Sequence, residues 1–315
     1  MTALAAHESG RDVFSHDLLL HDSDLALVQG TRAFVQEGLG SGGSVLVHST
    51  ESQVAMLHRA LGSHPRLTYG LDQDLYQSPI ATLFHYQRVL EDSSGSTALW
   101  ATGTVPLGEQ RAAQDAWARY ESLVNEALGP YAFHGLCTYD TRVLPAHVIA
   151  AAKATHPHMD TGGERRPSPD YQHPAGFLAT PLAGAPRPPS AAPTLVMNLL
   201  GVRDLVQGRH HLRRVMESSA VPSPVVGDLL TATNEVLTNG LRHGAPPVRL
   251  EVWVQPAKVT CRVTDRGSGI GDPLSGYRYA EPSGPMGLRA ARHLCGEILI
   301  SNPPGGGCSV VLTTP

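Results

Sequence analysis

Three polar side chains share one face of a predicted helix. Across residues 224–243, leucine, valine and alanine recur at helical spacing and form an apolar face. Glu235, Asn239 and His243 follow one another at intervals of four residues on the other face. A carboxylate, a carboxamide and an imidazole aligned in this way could act together on a ligand. By themselves they are equally compatible with an ordinary solvated face.

A second candidate site follows the predicted strand at residues 258–264. Asp265 stands at the strand end, and Gly267, Gly269 and Gly271 follow at alternate positions. The glycines allow the backbone to pass close to a flat ligand or to turn with positive φ. The carboxylate can accept a hydrogen bond from an exocyclic amine.

A third motif opens a helix predicted for residues 286–294. It contains Gly284 and Gly287, and Leu288 follows the second glycine. The exposed N–H groups at a helix start suit a phosphate. Each motif is weak evidence alone, whereas the three in this order and at these separations form a specific combination.

In this combination, residues 194–315 resemble the GHKL (Bergerat-type) ATP-binding domain, and most closely the anti-sigma serine kinases within it. The resemblance implies that Glu235 is catalytic and that Asn239 binds Mg²⁺. It also implies that Asp265 contacts the adenine amine and that the second glycine motif closes over the phosphates. The residues predicted to bind ATP or Mg²⁺ are Asn239, His243, Asp265, Gly267, Gly269, Gly271, Gly284, Gly287 and Leu288.

The sequence departs from this family pattern at two places. Gly240 stands where a small alanine is usual, which loosens the helix by roughly 1 kcal/mol. Pro285 and Met286 occupy a position where related chains often have a basic residue, so the phosphate contact expected there has no candidate. Residues 272–285 are rich in Pro, Gly, Ser and Tyr, and we expect them to form a lid that is mobile without ligand.

The elements predicted around these motifs form an α+β two-layer sandwich. Helices would cover one face of a mixed sheet, and the nucleotide would lie between the two layers. The predicted strands are 194–199, 248–254, 258–264, 297–301 and 309–312, and the predicted helices are 202–218, 224–243 and 286–294.

The first half of the chain alternates between strands and helices. This alternation predicts an α/β domain with a parallel sheet covered on both faces. A glycine cluster at residues 38–44 precedes its strand and lacks the G-K-[ST] signature, so it does not predict a phosphate loop. The predicted strands are 14–20, 45–47, 67–71, 98–104 and 133–139, and the predicted helices are 24–39, 51–61, 80–91, 110–128 and 145–155.

This half resembles the MEDS sensory domain, a module related in fold to RecA-like proteins. The motifs that carry the resemblance lie at residues 16–21, 34–39 with 45–47, 121–125, 136–140 and 155–157. The resemblance implies a sensory role toward a small-molecule signal that the sequence does not specify. Because open α/β sheets bind ligands at strand ends, the predicted contact residues are His48, Ser49, Cys137, Tyr139 and Asp140.

Two further groups of polar residues carry weaker signals. His156, His158 and Asp160 have metal-ligand types at close spacing. The Pro and Gly residues around them favour a loop with surface histidines, and no matching Cys/His cluster is evident elsewhere. Glu121 and Asn125 lie four residues apart on a predicted helix, and we expect them to cap or cross-link the sheet rather than bind a ligand.

Length and composition indicate two domains. The chain has 315 residues and 33.5 kDa, with 41% hydrophobic residues and a net charge of −4, so it carries no basic surface for nucleic acid. We predict domains at 13–160 and 194–315, joined by a linker at 161–193 that is rich in Pro, Gly, Ser and Ala. The four cysteines lie apart, and those within predicted elements are expected to be buried free thiols. No apolar run or leader is evident, which favours a cytoplasmic protein without membrane contact.

The two resemblances together predict a cytoplasmic signalling regulator. It would be an ATP-binding anti-sigma factor and serine-protein kinase that is controlled by its sensory domain. Its partners would be a sigma factor and an anti-sigma-factor antagonist whose Ser or Thr accepts the phosphate; a homodimer stays open. One alternative is a module that binds ATP without phosphotransfer. A histidine kinase is disfavoured because the linker and a strand stand where its helical hairpin would be.

Overall fold

The computed structural model describes residues 13–93, 97–161, 164–179, 186–272, 274–277, 286–295 and 298–314. The chain forms two compact units, each with its own sheet. The first comprises residues up to 77 together with 85–107 and 117–174, and the second comprises 78–84, 108–116 and the chain from 175 onward.

The N-terminal sheet has seven strands in the order β3-β2-β4-β5-β1-β6-β7. All neighbouring strands in it are parallel except β6 and β7, which are antiparallel. The strands are β1 Phe14–His21, β2 Ser44–Ser49, β3 Leu67–Leu71, β4 Leu99–Gly103, β5 Phe133–Asp140, β6 His158–Asp160 and β7 Arg165–Pro167. The helices along this part of the chain are α1 Asp24–Gly40, α2 Glu51–Leu61, α3 Asp72–Leu75, α4 Pro79–Asp92, α5 Arg111–Ala127, α6 Ala146–Thr155 and α7 Pro174–Leu178.

Local chemistry explains where the first helices begin. The Ser23 hydroxyl accepts a hydrogen bond from the Ala26 N–H, and the Thr50 hydroxyl caps α2 in the same way. The glycine cluster after α1 is a packing feature. A Cβ at Gly38 would come within 2.8 Å of the Trp100 ring, and one at Gly43 within 2.5 Å. These glycines therefore make room for a buried indole. This packing role agrees with the interpretation that the cluster is not a phosphate loop.

The sequence analysis did not anticipate the far edge of this sheet. The predicted linker contains β7 and α7, and β6 lies where a loop was expected. The sheet is therefore mixed rather than wholly parallel. The edge strands are held by charge: Arg165 Nε lies 3.1 Å from Asp17 Oδ2, and Asp17 is fully buried. Because charged side chains hold these three-residue strands, they show no hydrophobic alternation that could have predicted them.

The C-terminal sheet has five strands in the order β11-β12-β10-β9-β8, and every neighbouring pair is antiparallel. The prediction of a mixed sheet is therefore wrong here, although the two-layer α+β architecture is confirmed. The strands are β8 Leu195–Leu199, β9 Val248–Gln255, β10 Lys258–Thr264, β11 Leu299–Ser301 and β12 Ser309–Thr313. The helices are α8 Val202–Met216, α9 Ser223–His243 and α10 Met286–Cys295.

One apolar core joins the helices to this sheet. Leu229, Val236 and Leu237 on α9 pack with Val252 of β9 and Cys261 of β10, all of them buried. The cysteines at 137, 261, 295 and 308 are all free thiols, and only Cys261 is fully buried. Within the described residues, no helix has the length and apolar character needed to cross a membrane.

Candidate functional site

The longest helix, α9, presents the predicted polar stripe beside the core. Its apolar face is buried against the sheet, while Glu235 and Asn239 are half-buried and His243 is exposed. A proline in the first turn favours its start, and Gly244 follows its last residue. The helix therefore holds the carboxylate and the carboxamide at the border between core and solvent.

Asp265 lies directly after β10, and its carboxylate is buried with 8% of the residue exposed. Its Oδ1 accepts hydrogen bonds from the N–H of Gly267 at 2.7 Å and from the N–H of Cys308 at 3.3 Å. Among the described residues, both of these bonds end on Oδ1. Oδ2 therefore remains able to accept a hydrogen bond from a ligand.

The backbone around this carboxylate leaves no room for side chains. A Cβ on Gly244 would collide with the Asp265 carboxylate, and one on Gly267 would lie 2.8 Å from Gly244 Cα. Gly269 has φ of +85°, a conformation that glycine adopts without strain. The glycines after α9 and β10 therefore let the backbone approach the carboxylate from both sides.

A side chain beyond β11 holds the glycine loop in place. Asn302 Oδ1 accepts a hydrogen bond from the Ile270 N–H at 2.9 Å, and Asn302 Nδ2 donates to the Ile270 carbonyl at 3.0 Å. Both polar backbone groups of Ile270 are thus satisfied by one carboxamide. The loop that follows Asp265 is fixed at its centre as a result.

These elements surround a cavity of about 210 Å³. Its walls are largely apolar, and Asp265 and Asn239 contribute polar groups. The lining residues are Val236, Asn239, Gly240, His243, Gly244, Val263, Asp265, Gly269, Ile270, Ser275, Leu288, Cys308 and Val310. An apolar cleft with a few convergent polar groups suits a flat ligand that carries a hydrogen-bond donor.

The start of α10 lies against the polar stripe of α9. A Cβ on Gly287 would come within 2.9 Å of Glu235 Oε2 and of Asn239 Nδ2. Asn239 Nδ2 is buried, and no described residue accepts a hydrogen bond from it. A helix start, a carboxylate and a carboxamide whose Nδ2 has no acceptor among the described residues therefore meet at one edge of the cavity.

Family models match both halves of the chain. Residues 15–157 match MEDS, described as the MEthanogen/methylotroph, DcmR Sensory domain. Residues 201–313 match the Histidine kinase-like ATPase domain. The chain joins a MEDS domain to a histidine-kinase-like ATPase domain.

Two solved structures resemble part of the chain. The histidine kinase domain from the Erythrobacter litoralis EL346 blue-light activated histidine kinase is 19% identical and has a TM-score of 0.26; the match covers 40% of this chain and 70% of that one. The Acinetobacter baumannii histidine kinase AdeS is 13% identical with a TM-score of 0.24, over 38% of this chain and 66% of that one. At these TM-scores neither likeness carries an argument. No curated protein matches the chain.

Most of the predicted site residues meet in the ATPase domain. Five of them line the cavity: Asn239, His243, Asp265, Gly269 and Leu288. Glu235, Gly267 and Gly287 lie beside it through the contacts described above. Gly271 is exposed and is not among the lining residues, so the structure does not bring it to the cavity. Gly284 and most of the predicted lid, including residues 278–285, lie outside the described residues.

Several residues of the ATPase pocket were not predicted from the sequence. Val310 belongs to β12, and Cys308 directly precedes that strand. Burial together with the Asp265 carboxylate raises the pKa of the Cys308 thiol to about 11. Asn302 carries no family motif, although its place directly after a predicted strand was a signal for a turn.

The ATPase domain implies ATP binding, typically with Mg²⁺, and this pocket fits both groups. Asp265 Oδ2 is available to the adenine amine, and the apolar walls suit the purine ring. The Asn239 carboxamide faces the start of α10, and its Oδ1 lies 3.2 Å from the place a Gly287 Cβ would occupy. Its oxygen is a hard donor of the kind Mg²⁺ prefers.

In the MEDS domain, Glu121 and Asn125 make hydrogen bonds that cross-link neighbouring elements, as predicted. Asn125 Nδ2 donates to the Thr155 carbonyl at 2.8 Å, and Glu121 bonds to side chains of β1 and β5. The interpretation of His156 as a surface residue is wrong, because this histidine is fully buried. The proline and glycine content of its surroundings concealed a strand, β6, that begins two residues later.

The strand-end residues predicted to contact a signal divide between two environments. Ser49 and Tyr139 are buried, whereas His48, Cys137 and Asp140 are partly exposed. Arg142 donates hydrogen bonds to both carboxylate oxygens of Asp140, and these bonds hold the pKa of that carboxyl below its usual value. No signal molecule is identified by this arrangement, so contact with a signal stays a prediction.

Proposed function

We propose that the chain is an ATP-dependent signalling regulator that phosphorylates a serine or threonine of an antagonist protein and binds a sigma factor with the same ATPase domain. The observation that carries the proposal is the meeting of Glu235 and Asn239 with the start of α10 at the cavity edge. A kinase needs a proton acceptor, a metal ligand and phosphate-binding N–H groups close together. Glu235, Asn239 and the N–H groups at the start of α10, which would serve as these three parts, lie side by side.

The residues of the chain divide the work between them. Bound ATP with Mg²⁺ supplies the phosphoryl group. Asp265 selects adenine by accepting a hydrogen bond from its amine, and Asn239 holds the metal ion. Glu235 accepts the proton of the attacking hydroxyl or orients that hydroxyl. The backbone N–H groups at the start of α10 favour the negative charge of the phosphates.

The MEDS domain would control this activity. A signal can shift the ATPase domain only if it binds two conformations with different affinity. Comparison of ATP affinity and partner binding with and without native cell extract tests this part of the proposal. Identical behaviour under every condition would reduce the MEDS domain to a docking surface.

Phosphotransfer is tested with labelled ATP, Mg²⁺ and the antagonist that co-purifies with the full-length chain from its native cell. We expect acid-stable phosphoserine or phosphothreonine on the antagonist, and transfer about 10²–10⁴-fold slower with the Glu235→Gln variant. Acid-labile phosphohistidine on the chain itself would instead indicate a histidine kinase. Against that alternative, β8 stands directly before α8, where a phospho-accepting helical hairpin would be required.

A second candidate function is an ATP-binding module that transfers nothing. Pro285 and Met286 favour it, because no basic residue is available there to neutralise the phosphates. In that case the chain would bind Mg-ATP with the expected dependence on Asp265 and Asn239, yet the antagonist would acquire no label. Calorimetry and the transfer assay on the same preparation separate the two functions.

A further inference from the structure

Four side chains from separate parts of the MEDS domain converge beside β1 and β5, two neighbouring strands in the interior of its sheet. His16 belongs to β1, Glu121 to α5 and Cys137 to β5, and His156 directly follows α6. Each offers one ligand atom, and these four atoms all lie within 4.8 Å of one another. We call this group the His-Glu-Cys-His cluster. Three of its members are buried, and Cys137 is partly exposed.

The orientation of His16 is fixed by Asn125. The Asn125 Nδ2 group donates to the carbonyls of Glu121, Ser122 and Thr155, so its Oδ1 faces His16. His16 Nδ1 lies 3.2 Å from this oxygen and must carry a hydrogen to bond with it. In a neutral His16 the lone pair is then on Nε2, which lies 3.0 Å from Glu121 Oε2.

His156 is oriented in the same way. Its Nδ1 lies 2.7 Å from the Ala152 carbonyl, so Nδ1 donates. Its Nε2 is fully buried, lies 3.6 Å from Glu121 Oε2 and has no hydrogen-bond partner among the described residues. With its hydrogen on Nδ1, a neutral His156 presents only a lone pair at Nε2.

The cluster therefore contains more acceptors than hydrogens. Tyr139 donates to Glu121 Oε1, which leaves Oε2 facing both imidazoles. The only hydrogen between the four ligand atoms in their neutral-histidine state is that of the Cys137 thiol. Protonation of His16 would add one more hydrogen but would still leave His156 Nε2 unpaired. Buried acceptors that face one another without donors are unfavourable unless a cation lies between them.

A nucleophilic cysteine is the competing interpretation. In a Cys-His-carboxylate triad the imidazole uses one nitrogen for the thiol and the other for the carboxylate. Here Cys137 Sγ lies 3.4 Å from His16 Nε2, and Glu121 contacts that same nitrogen.

We propose that His16, Glu121, Cys137 and His156 bind a single divalent transition-metal ion, with Zn²⁺ as the best match. Zn²⁺ accepts imidazole, thiolate and carboxylate in a tetrahedron, with bonds of about 2.0–2.3 Å and ligand atoms therefore roughly 3.3–3.8 Å apart. Four of the six distances between the ligand atoms are 3.0, 3.4, 3.4 and 3.6 Å, and the other two are no longer than 4.8 Å. Mixed nitrogen, sulfur and oxygen ligands exclude Mg²⁺ or Ca²⁺ as the natural occupant.

The surrounding hydrogen bonds support this assignment. Metal-bound histidines almost always donate their second nitrogen to a carbonyl or similar acceptor. His16 does so to Asn125, and His156 does so to Ala152. This metal site is independent of the proposed kinase function, because it lies in the other domain and uses none of the nucleotide-binding residues.

The test is a Co²⁺ titration of the chelator-treated full-length chain. We expect one Co²⁺ per chain, with the visible absorption of a tetrahedral ion and a thiolate-to-metal charge-transfer band, and displacement of both signals by Zn²⁺. Cys137→Ser should remove the charge-transfer band, and His156→Gln should weaken binding. Loss of a residue that only hydrogen-bonds to a metal ligand lowers metal affinity about 10–100-fold. The metal affinity of each ligand variant should therefore fall by at least that factor.

Matched controls separate the cluster from other thiols and imidazoles. Cys295→Ser in the ATPase domain and His21→Gln at the far end of β1 should retain the full spectrum. Should Cys137→Ser fail to fold, wild-type chain still gives an answer: Zn²⁺ should protect Cys137, identified by mass spectrometry, from alkylation. A folded wild-type chain that binds no Co²⁺, or a charge-transfer band that survives Cys137→Ser, would overturn the proposal.

Discussion

The cavity of the ATPase domain and the His-Glu-Cys-His cluster stabilise buried polar atoms in opposite ways. In the pocket, backbone N–H groups satisfy one oxygen of Asp265, glycines keep the surroundings open, and the other oxygen faces a cavity. In the cluster, side chains face one another directly and their outer atoms are bonded to the protein. The first arrangement suits a large ligand that enters and leaves. The second suits a small ion held from all sides.

Glu235→Gln provides the largest expected effect on the pocket. Removal of the proton acceptor should lower phosphotransfer about 10²–10⁴-fold, which is the usual contribution of a general base. Mg-ATP affinity should stay unchanged, since Glu235 is not expected to bind the metal. A filter assay for transfer and calorimetry for binding measure the two quantities. Equal loss of both would show that α9 itself had been damaged.

Asp265→Asn should weaken ATP binding by about one to two decades, because a charge-assisted buried hydrogen bond contributes roughly 1.5–3 kcal/mol. Co²⁺ binding by the cluster should not change. Asp228→Asn, an exposed position on α9, provides the matched control. Unchanged ATP affinity in a folded Asp265→Asn chain would place the adenine elsewhere.

Gly135→Ala should disturb the His-Glu-Cys-His cluster without changing any of its ligands. A Cβ there would lie 3.1 Å from the Phe133 ring and 3.2 Å from the His16 ring, so both rings would have to give by a few tenths of an ångström. We expect metal affinity to fall about tenfold, as for a disturbed supporting residue, with ATP affinity unchanged. Gly40→Ala, where a Cβ would contact nothing within 4 Å, should leave metal affinity intact. The same Co²⁺ titration measures both variants.

The smallest expected effect concerns two glycines of α9. Gly227→Ala has open space for its Cβ and should stabilise the ATPase domain by about 1 kcal/mol through helix propensity. Gly240→Ala should gain less, since its Cβ would lie 3.1 Å from a methyl of the fully buried Val248. Urea unfolding followed at the ATPase domain compares the two variants. A larger gain for Gly240→Ala would contradict the tight contact.

The pocket could largely be predicted because its residues come in short contiguous motifs. Periodicity placed Glu235 and Asn239 on α9, and the strand pattern placed Asp265 at the end of β10. The places of Cys308 in the cavity wall and of Asn302 against the glycine loop could not be predicted, since both depend on strand pairing that the sequence does not state. The prediction of a mixed C-terminal sheet was wrong for the same reason, since the pairing of β12 with β10 and of β8 with β9 joins segments that the sequence does not connect.

The His-Glu-Cys-His cluster could not be predicted as a group from the sequence. Every member was noticed in some other context, yet His16 lies 105 positions from Glu121 and 121 positions from Cys137. Their meeting depends on the parallel pairing of β1 with β5, in which Leu18 lies opposite Cys137. Hydrophobic alternation fixes which face a residue occupies but not which strands become neighbours. His156 was further concealed because the short β6 has no such alternation.

The glycine loop beside the cavity is anchored by the side chain of Asn302 rather than by strand pairing. Strand β11 ends at Ser301, and the next residue continues its hydrogen bonding by means of a carboxamide. A loop anchored by a side chain can be freed by one substitution without removal of any strand. Asp in place of Asn302 would retain the acceptor for Ile270 N–H but lose the donor to its carbonyl. The glycine loop beside the cavity can therefore be altered by single substitutions, while the sheet beneath it remains unaltered.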